Sequence, residues 1–381
     1  MSEGRPGRRA RWASLALAAA FTLGFGYLAV RGVELAELSR SLDDSNYWYL
    51  LPAFALLAFG FFVRVLRWRY MFSPETRPGI WPTTETLILG QFLNSVLPFR
   101  AGDAARIVAL RSFGGPSRVE TAGTVVLERV FDVLALLLLL FVMVPWLPEV
   151  TWIRAAGTLA IVLSVAVAAA IVVLRVYGER AVRVLLAPFA HLPFLSSRRV
   201  EAAVRNLTQG VIVLRSTRLG LLAFFLTIVS WIVLGMSFWL LTLGFDFGLS
   251  PTAGLLIVIA TGLSHVLPSA PAGVGVFEAA AMVALAAYGV EQAPALSYAL
   301  VAHALNVLPF VLAGLLVVIL RRRALAPALG REGLAPNGTN PAPPGAGPGL
   351  PGDRGRPGDD QDDVAEPADG NLEVDEVRQP R

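Results

Sequence analysis

The sequence predicts an all-α, polytopic integral membrane helix bundle. Two observations carry that class. Of the 381 residues, 55% are hydrophobic and 16% charged, and the mean hydropathy is +0.62, which is far more apolar than a soluble core of this length requires. The apolar residues also fall in long uncharged runs flanked by arginine, the pattern of helices that cross lipid with basic ends on the cytoplasmic side.

The first run follows RPGRRAR (residues 5–11), so residues 1–11 form a basic cytoplasmic N-terminus. Residues 12–30 are nineteen uncharged positions, enough to cross a hydrocarbon core of about 30 Å. A cleaved signal peptide is the rival reading. The run exceeds the roughly 7–15 residues of such a core and no clear A-x-A site follows, which favours an uncleaved anchor. YWYLLPAFALLAFGFFV (47–63) gives a second span with an aromatic belt at its start. The following RVLRWRY places three arginines, Arg64, Arg67 and Arg69, at a cytoplasmic end. Further spans are predicted at 121–147, 155–174, 219–243 and 295–320, and Arg321, Arg322 and Arg323 close the membrane region on the cytoplasmic side. The expected total is about seven or eight spans plus two interrupted, re-entrant segments, 81–99 and 252–290.

Outside the spans, the sequence is basic in one place and acidic in another. Residues 175–218 hold eight arginines and two glutamates, and fit a cytoplasmic, partly interfacial helical hairpin. Few aromatics and a position between spans point to a membrane surface rather than nucleic acid. Residues 324–381 are Pro/Gly-rich and then acidic, a composition that predicts disorder. From Asp353 this tail carries ten acidic residues and four arginines, so a net charge of +4 for the chain leaves +10 on the remainder. Such a body suits anionic headgroups, although arginines that only set topology explain most of the excess.

Several kinds of chemistry are excluded. With no cysteine there is no disulfide or thiolate, and since all 32 basic residues are arginine there is no P-loop or Schiff-base lysine. Direct ATP hydrolysis is not expected. His191, His265 and His303 lie far apart in sequence and without carboxylate neighbours, so no metal site or cofactor is expected. AGVGVFE lacks the preceding strand and the glycine spacing of a dinucleotide fingerprint.

The informative stretch is NSVLPFRAGDAAR, residues 94–106, in which an apolar segment meets Pro98 and then Arg100, Asp103 and Arg106. If 81–99 crossed fully, Arg100, Arg106, Arg111 and Arg118 would all lie outside, against the positive-inside tendency. A re-entrant hairpin that enters from the cytoplasm and turns near 94–98 removes the conflict, because irregular backbone is tolerated at membrane depth where it lines a cavity. A second stretch, LSHVLPSAPAGVGVFE (263–278), repeats V-L-P followed by Ala-Gly. Three predicted spans separate the two, so the second enters from the opposite side, the pointer to an inverted repeat with a site between its halves. A chance match of so short a motif is the alternative.

A third cluster, LERVFD (127–132), sets Glu128 and Asp132 one helical turn apart, with Arg129 three residues before Asp132. Each such charge at mid-span costs about 2.5–3.5 kcal/mol on insertion scales. Three in five residues therefore need partners or water, unless they merely end the span at the interface. Glu278 is placed similarly in the second half, before the small residues AAAM that permit close helix packing.

At these residues the chain resembles the transmembrane half of lysylphosphatidylglycerol synthases, the flippase-like membrane proteins. The likeness covers about residues 12–323. It rests on Asn94, Pro98, Arg100, Gly102, Asp103 and Arg106, on Glu128, Arg129 and Asp132, and on Pro268, Pro271, Gly273, Gly275 and Glu278, taken in order. Asp103 stands where glutamate is commoner, which keeps the charge. Ala272 stands where glycine is commoner, which restricts the backbone at the break. Bifunctional members continue into a soluble aminoacyltransferase domain, whereas 58 residues of disorder-like composition follow Arg323 here. The resemblance therefore implies translocation of a lipid or lipid-linked substrate, or support of it, without lipid synthesis and without an enzymatic step.

In the leading reading Arg100, Arg106 and Arg129 attract a headgroup phosphate, while Asn94, Asp103, Glu128, Asp132 and Glu278 complete the binding site. The partners are an anionic phospholipid or lipid-linked molecule and the bilayer of a bacterial or archaeal cell membrane, with both termini cytoplasmic. The runner-up is a non-transporting membrane partner of an envelope lipid or glycan enzyme. A membrane glycosyltransferase is weaker, as no D-x-D-like site is visible.

Overall fold

The computed structural model describes residues 23–27, 30–31, 33–97, 100–150, 216–265 and 270–330, with single positions between 153 and 169. The rest of the anchor 12–30, most of the span 155–174, the basic segment as far as 215 and the tail from 331 lie outside the described residues. Among the described residues all regular structure is helical. The helices are α1 (Leu35–Asp43), α2 (Leu50–Tyr70), α3 (Ile80–Val96), α4 (Ala101–Ser112), α5 (Arg118–Met143), α6 (Thr217–Gly244), α7 (Pro251–Ser264), α8 (Val276–Ala286) and α9 (Gln292–Gly330).

Three stretches, Tyr47–Tyr70, Arg218–Gly244 and Gln292–Arg321, are long and apolar enough to cross a membrane. They leave large side chains uncovered, Leu312 at 68% and Leu320 at 70% exposure for example, as lipid-facing surfaces do. Trp48, 83% exposed, stands in the predicted aromatic belt. Helix α5 is 26 residues long but carries Glu128, Arg129 and Asp132 inward of its first turns. Two boundaries differ from the sequence reading. Helix α2 does not stop near residue 63 but runs to Tyr70, with Arg67 and Trp68 buried. Helix α9 continues past 323 to Gly330. In the first case the arginines continue the helix because other helices supply their partners, a long-range fact that run length alone does not carry.

Helices α2 and α6 form the central antiparallel pair. Asn46 N–H donates to the Gly244 carbonyl at 2.7 Å, Ser237 Oγ donates to the Ala53 carbonyl at 2.7 Å, and Arg67 Nη1 reaches Thr227 Oγ1 at 3.4 Å. Gly60, which faces Val233, lets the two approach closely, the small-residue device of membrane helix pairs. Each helix of the pair is followed by a broken hairpin and then by a long helix: α2, α3/α4, α5 in the first half and α6, α7/α8, α9 in the second.

The two hairpins have their feet at opposite ends of the bundle. Glu85, early in α3, accepts from Arg321 of α9 at 2.9–3.1 Å, and Phe113, just past α4, lies under the same guanidinium. Both feet of the first hairpin thus share an end with the C-terminus of α2, where Arg69 donates to the Pro78 carbonyl at 2.8 Å. At the other end, Tyr288, just past α8, donates to Thr252 Oγ1 of α7 at 3.2 Å, and Trp239 of α6 donates to the Leu249 carbonyl at 2.9 Å. The turns of both hairpins therefore point into the interior from opposite directions.

Candidate functional site

The turns meet around one cavity of about 370 Å³, lined by Asn94, Ser95, Leu97 and Arg100 from the first and by His265, Ala270, Ala272 and Gly273 from the second. Local backbone chemistry explains both turns. Helix α3 ends in an extended residue, Leu97 (φ −103°, ψ 144°), and the chain re-enters helix α4 through Arg100 in the left-handed region (φ 52°, ψ 40°). In the second turn Ala272 (φ 61°), Gly273 (φ 81°) and Gly275 (φ 83°) are left-handed. Pro271 starts the single 3₁₀ turn that they interrupt. Pro98 and Pro268 lie outside the described residues. Glycine is free at such a φ and alanine is strained by roughly 1 kcal/mol. Ala272→Gly is therefore expected to raise stability by about 1 kcal/mol in a detergent melt.

The charged wall is built from α2, α4 and α5. Arg67 is the hub: Nη2 meets Glu128 Oε1 at 2.8 Å and Nη1 meets Asp132 Oδ1 at 2.6 Å. Arg106 spans Glu128 Oε2 at 3.1 Å and Asp103 Oδ1 at 3.2 Å, with its guanidinium 5.1 Å from the centre of the Trp68 ring. Arg129 touches Asp103 at 3.1 Å, Asp132 at 3.5 Å and Glu128 at 3.8 Å. Asn94 Nδ2 donates to Asp103 Oδ1 at 3.2 Å, and Trp231 Nε1 donates to Asp132 Oδ1 at 3.2 Å. Charges at this depth need such partners.

Of the predicted site residues, Asn94, Asp103, Arg106, Glu128, Arg129 and Asp132 thus form one network, and Arg100 stands beside it on the cavity wall. Asp103 supports the network without lining the cavity. Glu278 is elsewhere. Its Oε2 accepts from Gly275 N–H at 2.7 Å, which caps α8, and its Oε1 meets His303 Nδ1 at 2.5 Å. His303 Nε2 reaches the Ala272 carbonyl at 3.2 Å. The expectation that no histidine has carboxylate company is corrected for His303, because α9 brings it to Glu278 from 25 residues away. No metal-like cluster is found among the described residues.

Sequence reasoning also missed Arg64 and Arg67, taking them as flanking charges. The available signal was their three-residue spacing, which sets both on one face of a continuing helix, next to a carboxylate pair that asks for cations. Arg64 lies 4.7 Å from the centre of the Trp231 ring. Neither Arg64 nor Arg100 makes an ion pair among the described residues, and Arg64 Nη2, Arg67 Nε, Arg106 Nε and Arg129 Nε are buried donors with no acceptor there. The cavity wall therefore carries two guanidinium groups outside any ion pair among the described residues, Arg64 and Arg100, suited to an oxyanion.

Comparison with known proteins agrees with this architecture. UPF0104 membrane protein MJ1078 of Methanocaldococcus jannaschii is 25% identical over 234 residues, which span 61% of this chain and 95% of that protein. The profile of the lysylphosphatidylglycerol synthase TM region matches residues 12–314, a stretch that holds both hairpins and the whole charged wall. The chain belongs to the lysylphosphatidylglycerol synthase TM region family.

Proposed function

We propose that the protein moves a phosphate-bearing lipid or lipid-linked molecule between the leaflets of the cell membrane. In this reading the two halves are an inverted repeat, the broken hairpins are re-entrant, and the end that gathers Arg69, Arg77 and Arg321 is cytoplasmic by the positive-inside rule. The observation that carries it is the cavity between the hairpin turns, with Arg64 and Arg100 on its wall and neither in an ion pair among the described residues. Helix-packing charges alone would be expected to pair off. The transport involves no covalent step; the arginines hold the phosphate, and the left-handed turns at Arg100 and Ala272 are where the backbone can readjust.

On this reading the roles differ from those expected of the sequence. Arg106 and Arg129 are engaged by carboxylates, so they orient the wall, while Arg64 and Arg100 are the headgroup contacts. Leaflet exchange of labelled lipids in proteoliposomes tests this. Arg64→Ala and Arg100→Ala are expected to lower exchange about tenfold or more, since a charged hydrogen bond is worth about 1.5–3 kcal/mol, with melting temperatures close to wild type. Arg129→Ala is a poorer probe because it also removes a contact from each of three carboxylates. No exchange by folded wild-type protein would overturn the transport reading and favour a membrane partner of an envelope enzyme.

A further inference from the structure

We propose that the cavity is built for a doubly charged terminal phosphate, a phosphomonoester or diphosphate, in preference to the singly charged phosphodiester of most phospholipid headgroups. This rests on the transport reading and names its substrate class. The charge count carries it. Among the described residues the wall holds five guanidinium groups, Arg64, Arg67, Arg100, Arg106 and Arg129, against three carboxylates, Asp103, Glu128 and Asp132, a net charge of +2. Three of the arginines are held by those carboxylates. The excess resides on Arg64 and Arg100, which approach the same cavity from α2 and from the first hairpin turn.

A net charge left uncompensated at membrane depth is costly, and the cost falls as counter-charge enters. A monoanion would leave one guanidinium unbalanced; a dianion neutralises the site. Its three terminal oxygens also offer more acceptors to Arg64 and Arg100 on the cavity wall than the two free oxygens of a diester. The other titratable group on the wall is His265. The Glu278–His303 pair is bonded to itself and to the second turn and, unlike Asp103, makes no ion pair with any of the five arginines among the described residues, so the count leaves it out. A volume of about 370 Å³ is small for a ligand site and admits a headgroup while the acyl or prenyl chains stay outside.

The test uses the purified full chain in nanodiscs of zwitterionic lipid at pH 8, above the second phosphate pKa of about 6. Short-chain phosphatidic acid, short-chain phosphatidylglycerol and inorganic phosphate are titrated separately against the shift in melting temperature. Phosphatidic acid is expected to bind about tenfold or more tightly than phosphatidylglycerol, one charged contact being worth that much. Arg64→Gln and Arg100→Gln are each expected to bring the two lipids to equal affinity. Equal or tighter binding of phosphatidylglycerol by the wild type, a comparison that needs no variant, would overturn the charge-class inference and leave lipid transport standing. Inorganic phosphate bound as tightly as phosphatidic acid, with no lipid exchanged in proteoliposomes, would keep the dianion class but assign it to a soluble ligand, removing the transport reading.

Discussion

Arg67→Met is expected to destabilise the protein by about 3–5 kcal/mol, the range for removing one partner of a buried ion pair. Methionine keeps most of the volume, so the loss reports charge rather than a cavity. Arg67 is 1% exposed and bridges Glu128 at 2.8 Å and Asp132 at 2.6 Å. Without it Glu128 keeps Arg106 at 3.1 Å, but Asp132 keeps only the longer contact to Arg129 at 3.5 Å and the Trp231 hydrogen bond among the described contacts. The damage should therefore concentrate on Asp132, and the double variant Arg67→Met/Asp132→Asn is expected to recover a large part of the stability in a melt compared with the single variants. Arg67→Lys is expected to recover little, because a point ammonium cannot bridge two carboxylates in the plane of a fork. Equal melting of wild type and Arg67→Met would show that the hub is not a structural element.

This hub marks where the sequence ceases to be legible. Helical class, the long apolar helices and the two breaks follow from composition, run length and Pro/Gly placement, all of which are local. The charges on 103, 106, 128, 129 and 132 are also legible as a group in need of partners, and the structure joins them. Their own count, with Arg100, balances at three cations and three anions, so nothing in it asked for more. Arg67 is a partner contributed to Asp132 from 65 residues away, with Arg64 three residues before it on the cavity wall, and a span that ends in R-V-L-R-W-R-Y reads locally as a flank. Only the continuation of α2 to Tyr70, set by packing of Trp68 against Thr124 and of Phe72 in the same apolar cluster, turns those arginines inward. His303 was hidden for the same reason: α9 is apolar throughout its membrane length, and its histidine acquires a partner only when the second hairpin folds beside it.

Gly102→Ala carries the second large expectation, and here two physical effects oppose each other. Gly102 lies in the first turn of α4, where alanine is the better helix former by about 1 kcal/mol, so propensity alone predicts stabilisation. A Cβ at 102, however, would lie 2.0 Å from the Gly90 carbonyl oxygen and 2.8 Å from the Asn94 backbone nitrogen. Those are backbone atoms of a helix, which cannot rotate away as a side chain tip can, so the two arms of the hairpin must separate. Overpacking of this kind costs about 1–3 kcal/mol and sometimes more, and at so short a distance the upper part of the range applies. A net loss of about 2 kcal/mol is expected after the propensity gain. The functional loss should be larger than the stability loss. Moving α4 draws Asp103 away from Asn94 and Arg129, and Arg106 away from Glu128, contacts now at 3.1–3.2 Å, so the wall that orients the free arginines is lost together. Gly24→Ala, also helical and with no atom of the described residues within 4 Å of the added carbon, is the control that shows the propensity gain without the clash. A melt of Gly102→Ala at or above the wild-type value would mean that the arms do not touch backbone to backbone, and the placement of the charged wall against the first turn would fall with it.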